Sequence, residues 1–229
     1  MADQPVFVIT GASTGIGAAT ARHAVEAGHR VVLAARSADK LEALAAELGG
    51  DERALAVPTD VTDFGAQEAL IATAAERFGR VDVVFANAGF GAARGFLEET
   101  PEFWRDMVLT NVLGAAYTIR AALPALRETS GHLLLTSSVA GRRALPGSLY
   151  SATKHAVTAM AEALRLEVDG AIRVTSIEPG AVDTPFFDTK PSIRALDADD
   201  VARAVMYAVG QPKHVDVNEI LVRPTAQPT

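Results

Sequence analysis

Short apolar runs rich in β-branched residues alternate with longer alanine-rich stretches along almost the whole chain. PVFVIT (5–10), RVVLAAR (30–36), RALAVPTDV (53–61), VDVVFANAG (81–89), HLLLTSS (132–138), IRVTSIEPG (172–180) and a run near 218–223 read as strands. GIGAATARHAVEAG (15–28), ADKLEALAAELG (38–49) and residues 66–79, 101–128, 149–168 and about 198–209 read as helices. Strands that are apolar nearly throughout, rather than at every second position, are buried on both faces. Helices between them then predict a parallel sheet covered on both sides, a doubly wound α/β fold. The 229 residues carry no evident linker or internal repeat, which predicts one domain over 1–229.

The first strand runs directly into TGASTGIG (10–17), which opens the first helix. Gly11, Gly15 and Gly17 lack a Cβ, so the backbone can turn tightly and approach a diphosphate. The helix start adds N–H donors and the positive end of its dipole. Gly11, Ser13, Thr14, Gly15, Ile16 and Gly17 are therefore candidate dinucleotide contacts; an ordinary glycine-rich turn is the plainer alternative. The second strand ends at Ala35-Arg36-Ser37. A carboxylate there would bind both ribose hydroxyls of NAD, but the residue is alanine. Arg36 suits a 2′-phosphate, or is a plain solvated arginine; the missing carboxylate and the added positive charge favour NADP(H) over NAD(H), with Arg36 and Ser37 as candidate contacts. Asp60-Val61 and Asn87-Ala88-Gly89 end the third and fourth strands, where a parallel sheet gathers its ligand crevice. Asp60 could accept from an adenine amino group, or either segment could be a simple strand-ending turn.

Tyr150 and Lys154 stand one helical turn apart in YSATK, on one face of a helix. A phenol near its ordinary pKa of about 10 exchanges protons poorly at neutral pH. A neighbouring ammonium favours the phenolate, so Lys154 is expected to lower the pKa of Tyr150. Such a pair can pass a proton to or from a carbonyl or alcohol oxygen. Asn111 lies inside the long helix, a poor interior choice by propensity.

A net charge of −7 argues against a nucleic-acid partner. The chain has no cysteine, which excludes disulfides and thiolate-bound metals. His23, His29, His132, His155 and His214 lack a ligand-like spacing, so no metal is expected. No signal peptide or membrane-length apolar run is evident, and a cytoplasmic protein is expected. Phe90, Leu145, Pro146, Leu149, Phe186 and Phe187 flank the proposed site and could form an apolar substrate wall. Arg142, Arg143, Lys190 and Arg194 could meet a substrate carboxylate or be plain surface charge. Residues 185–197 read as an irregular loop able to cover a ligand.

Taken together, TGASTGIG, Asp60-Val61, Asn87-Ala88-Gly89, Asn111, Ser138, YSATK and Pro179-Gly180 resemble the short-chain dehydrogenase/reductase family in its compact form. They occur in the family order over nearly the whole chain. The resemblance implies a Rossmann-like sheet of seven strands in the order 3-2-1-4-5-6-7. It also implies an NADP(H)-dependent oxidoreductase that interconverts a ketone, aldehyde or 3-oxo acid with an alcohol. By resemblance Tyr150 is the general acid or base, Lys154 also holds the nicotinamide ribose, Ser138 binds the reacting oxygen and Asn111 positions a water. Ser138 is chosen over Ser137 because SSVAG matches the family's serine-to-glycine spacing. Pro179, Gly180, Val182 and Thr184 resemble the nicotinamide-side loop, with Val182 backbone groups on the carboxamide. Ala86 departs from the family's paired asparagines, and Ser138 to Tyr150 is one residue shorter than the commonest spacing. A homodimer or homotetramer is expected on the same ground. A nucleotide-binding sensor, or an epimerase or dehydratase, remain as alternatives.

Overall fold

The computed structural model describes residues 4–91, 93, 95–185 and 193–227. Among them, seven strands form one sheet: β1 (Val6–Thr10), β2 (Arg30–Ala35), β3 (Ala54–Pro58), β4 (Val83–Ala86), β5 (His132–Thr136), β6 (Arg173–Pro179) and β7 (Glu219–Val222). Their order is β3-β2-β1-β4-β5-β6-β7, and every pairing is parallel. The helices are α1 (Gly15–Glu26), α2 (Ala38–Glu47), α3 (Phe64–Phe78), α4 (Pro101–Val108), α5 (Ala115–Thr129), α6 (Leu149–Val168) and α7 (Ala198–Val209).

Successive side chains of a strand point to opposite faces, so each apolar run supplies two cores. Phe7 and Ile9 of β1, with Val31, Leu33, Phe85, Leu134 and Ile177, pack beneath α1, α2 and α7. Val6 and Val8, with Val32, Val84, Leu133, Leu135 and Val174, pack beneath α3, α5 and α6. Alanines at Ala18, Ala21 and Ala24 of α1 lie on the first face and let that helix sit close to the sheet. The strand order reverses direction between β1 and β4, and this opens a crevice at their carboxyl ends.

The long helix expected over 101–128 runs without a break, but not as regular α-helix throughout. α4 passes into a π-helical turn at Leu109–Gly114 before α5 begins. Thr100 caps α4 by accepting from the Phe103 N–H at 3.2 Å, and Pro101 stands in the first turn. The extra residue per turn sits at Asn111, whose side chain is buried and bonded outside its own helix. Gly114 closes the turn, where a Cβ would lie 2.8 Å from Val61 Cγ2.

His132, at the start of β5, is fully buried. Thr175 donates its hydroxyl to the Val217 carbonyl at 2.6 Å, so it must accept from His132 Nε2 at 2.7 Å. Nε2 therefore carries a proton, and Nδ1 has no hydrogen-bond partner. Burial, reinforced by Arg173, pushes the His132 pKa down to about 3. Between that value and about 6.5 the unfolded chain binds one proton more than the folded chain. Stability should then rise with pH across this window, by about 1.4 kcal/mol per unit, and be complete above it. Urea denaturation of His132→Gln between pH 4 and 6 should show a slope shallower by about one proton. Equal slopes for the two proteins would overturn this reading.

No helix among the described residues is long and apolar enough to cross a membrane.

Candidate active site

A cleft of about 1140 Å³ opens along the carboxyl ends of the central strands. At one end lies the glycine loop. Gly11 and Gly15 adopt left-handed backbone angles of +66° and +54°. A Cβ on Gly11 would come within 2.9 Å of Ala88 Cα, and one on Gly17 would strike the Gly11 carbonyl. Loop and strand end are thus in contact, with no room for side chains. Thr14 precedes α1 without capping it, and the first turn holds no acidic residue. The helix N–H groups are therefore left for an anion. Thr184 leans over this loop, since a Cβ on Gly15 would lie 3.2 Å from Thr184 Cγ2.

Arg36 and Ser37 lie exposed beyond the end of β2 and line the same cleft. Asp60, just past the end of the neighbouring β3, lines the cleft as well. Its Oδ1 accepts from Thr62 N–H at 2.9 Å and from the Thr62 hydroxyl at 2.8 Å. The Thr62 amide holds the Asp60 carboxyl below its ordinary pKa, with further lowering by the Thr62 hydroxyl and the Arg36 charge. Asp60 thus makes the strand-ending turn and lines the cleft as well. Val61 is buried against Gly114.

Asn87 ties three strands together. Its Nδ2 donates to the Thr10 carbonyl at 3.1 Å, and its Oδ1 accepts from the Thr136 hydroxyl at 3.1 Å. The Thr10 hydroxyl accepts from both the Asn87 and Ala88 N–H groups. Asn111 holds the next stretch: Oδ1 accepts from Phe90 N–H at 3.0 Å, and Nδ2 donates to the Phe90 carbonyl and to Thr153. A Cβ on Gly89 would meet Asn111 Oδ1 at 3.0 Å and lie 3.7 Å from Lys154 Nζ.

At the other end stand Tyr150 and Lys154, on the first two turns of α6. Ser148 caps this helix by accepting from Ser151 N–H. Lys154 is buried and donates from Nζ to the Thr136 carbonyl at 2.7 Å. Its Nζ lies 5.6 Å from the centroid of the Tyr150 ring. Tyr150 shares a hydrogen bond with Ser138, whose hydroxyl also lies 3.3 Å from the Pro179 carbonyl. Ser137 bonds instead to the Lys154 carbonyl and to Thr158, within the support of α6.

The expected direction of the Tyr150 shift is corrected. Burial pushes its phenol up to about 12, against which the Ser138 hydrogen bond works in part. Burial likewise pushes the Lys154 ammonium down to about 8. Desolvation penalises a charge on either group, and burial is the largest influence on both.

Val182 pairs with Leu196 in a parallel bridge. The bridge uses the Ala181 carbonyl and the Asp183 N–H. In a parallel bridge the paired residue's own N–H and C=O point the other way, so those of Val182 are directed off Leu196. Gly180 is fixed by its own N–H to the Val222 carbonyl at 2.7 Å.

Phe90 and Leu145 line the cleft, but Leu149 does not. Leu149 starts α6 one position before Tyr150, about 100° away around the helix. Phe186, Phe187 and Lys190 lie outside the described residues, as does most of the loop placed at 185–197. Arg142 is tied to buried Glu178 at 2.7 Å and to Glu219. Arg143 and Arg194 are exposed. The structure adds Phe103, Thr136 and Gln227 to the cleft wall. Phe103 meets Phe90 edge-on at 5.3 Å. Phe103 and Thr136 carried no local motif; only the fold brings them here. No group of three or more His, Asp or Glu able to hold a metal ion occurs among the described residues.

The sequence profile of the short chain dehydrogenase family matches residues 5–194. An uncharacterised oxidoreductase of Staphylococcus aureus strain MRSA252 is 42% identical over 224 residues, covering 96% of each protein. An alcohol dehydrogenase from the archaeon Thermococcus sibiricus, complexed with 5-hydroxy-NADP, is 36% identical with a TM-score of 0.92 and 99% coverage of both chains. A 3-ketoacyl-(acyl-carrier-protein) reductase from Brucella melitensis, complexed with NADH, is 30% identical with a TM-score of 0.88, over 97% of this chain and 98% of that one. The match spans both the glycine-loop end and the Tyr150–Lys154 end of the cleft, and on that ground the chain belongs to the short chain dehydrogenase family.

Proposed function

We propose that this chain is an NADP(H)-dependent oxidoreductase that interconverts a carbonyl and an alcohol. One observation carries the reading: the Tyr150–Ser138 hydroxyl pair and the buried Lys154 share a single cleft with a glycine loop that Cβ atoms would block. The residues present fit a dinucleotide. Gly11, Gly15 and the open start of α1 would hold its diphosphate, and Arg36 a 2′-phosphate. Val182 backbone groups and Thr184 would hold the nicotinamide side. The solved relatives carry NADP-type and NADH ligands, so the preference for NADP(H) rests on Arg36 and on alanine at position 35.

When bound, the cofactor supplies the hydride. The chain supplies the proton and the electrostatics. Tyr150 keeps its proton at neutral pH, so its hydroxyl is ready to donate to an oxygen gaining negative charge. Ser138 is a second hydroxyl at the same place; its one proton goes to the Pro179 carbonyl and would turn from it to meet the reacting oxygen, while the Ala140 N–H holds its oxygen. Lys154 presents a buried ammonium one turn away and favours the phenolate that Tyr150 becomes. Asn111 holds the Phe90 backbone, and with it the floor between the two ends of the cleft. A homodimer or homotetramer in the cytoplasm completes the proposal.

Purified protein should oxidise NADPH in the presence of at least one member of a panel of aldehydes, ketones and 3-oxo acids. No oxidation across a broad panel, with partner binding that depends on cofactor, would favour a sensor.

A further inference from the structure

The chain returns to the cleft after β7. Residues 224–227 form a turn, closed by the Gln227 N–H bonded to the Pro224 carbonyl at 3.0 Å. This turn delivers the Gln227 side chain to the cleft wall. The Gln227 Oε1 accepts from the Ala181 N–H at 2.9 Å. A backbone N–H can only donate, so the orientation of the amide is settled by its partner. Gly180 admits the contact: a Cβ there would strike Gln227 Oε1 and lie 2.6 Å from Arg223 Cβ.

The location of this bond gives it consequence. Ala181 follows Gly180 and precedes Val182. On one side, two residues back, the Pro179 carbonyl takes the Ser138 hydroxyl. On the other side, the Ala181 carbonyl accepts from Leu196 N–H, which sets the direction of the Val182 backbone. The segment Gly180–Val182 is thus clamped from three directions: by β7 at Gly180, by Leu196 across the bridge and by Gln227 at the Ala181 N–H. Of these three clamps, only Gln227 holds the segment through a side chain.

We propose that Gln227 is a positioning residue for the nicotinamide end of the cleft: its side-chain carbonyl holds the Ala181 N–H and so fixes the Val182 backbone. This rests on the dinucleotide reading of the cleft. Gln227→Met keeps length and bulk but removes the acceptor. Gln227→Glu keeps an acceptor at the same reach and serves as the rescue.

The test is binding of NADPH, followed by its fluorescence, beside binding of adenosine 2′,5′-bisphosphate, which lacks the nicotinamide half. Gln227→Met should weaken NADPH by about five- to tenfold, the value of one hydrogen bond, and leave the bisphosphate unchanged. Gln227→Glu should bind both ligands as the wild type does. Equal weakening of both ligands in Gln227→Met, no weakening of either, or failure of Gln227→Glu to restore NADPH binding would each overturn the positioning role. Wild-type protein that binds neither ligand would overturn the dinucleotide reading and this inference with it. Wild-type binding with the wrong variant pattern would sink this inference alone.

Discussion

Tyr150→Phe should lose about a hundred- to ten-thousand-fold in kcat while NADPH binding changes by less than about twofold. The substitution deletes one oxygen from a half-buried ring and leaves the packing in place. What it removes is the proton and one of the two hydroxyls that meet the reacting oxygen. Ser138 keeps its bonds to Pro179 and Ala140, so the wall of the cleft should stand. The pH dependence follows from the two shifts. Tyr150, pushed up to about 12, stays protonated throughout the working range and serves as the acid in carbonyl reduction. Lys154, pushed down to about 8, loses its charge as pH rises through that value. Reduction should therefore fall above about pH 8 even though the phenol still holds its proton. Steady-state rates of wild type and Tyr150→Phe from pH 6 to 10 would check both points. Wild-type-like turnover in the variant would remove the proton role from Tyr150.

Arg36→Ala should raise the Kd of NADPH by at least about tenfold and leave NADH within about twofold. A guanidinium bound to a phosphate is worth more than a neutral hydrogen bond, because one partner is charged and the pair can be bidentate. Arg36 is exposed, so its side chain is free to reorient, and its loss should not disturb the core. Asp60, just past the neighbouring strand end, feels its charge, which helps hold the Asp60 carboxyl below its ordinary pKa. Raising the salt concentration should shrink the difference between wild type and variant, because an exposed charge is screened. Titration of both cofactors at two ionic strengths would check this. Equal effects on NADPH and NADH would sever Arg36 from cofactor choice.

Much of this molecule was legible in order along the chain. Apolar runs without alternation meant strands buried on both faces, and the sheet confirms it with Phe7 and Ile9 on one side and Val6 and Val8 on the other. α6 begins at Leu149 and ends at Val168, as its periodicity requires, because a helix is a local pattern of i to i+4 contacts. The glycines at 11 and 15 announced a loop that only Gly tolerates, and both adopt positive φ.

What local pattern could not decide was how distant segments use one another. Propensity marks Asn111 as an awkward helix residue, but a π-turn becomes favourable only because Phe90, twenty-one residues earlier, offers its N–H and C=O. A lysine four residues after a tyrosine implies help for the phenolate; burial in the fold shifts both groups the other way. Nothing local assigns Gln227 a role, and its meaning comes from the Ala181 N–H forty-six residues away. Sequence by itself determined the elements, their alternation and the chemical groups on offer, since these depend on neighbours in the chain. Tertiary structure alone decided which groups are dry, which are clamped and which share the cleft, since burial and hydrogen-bond closure are properties of segments brought together from afar.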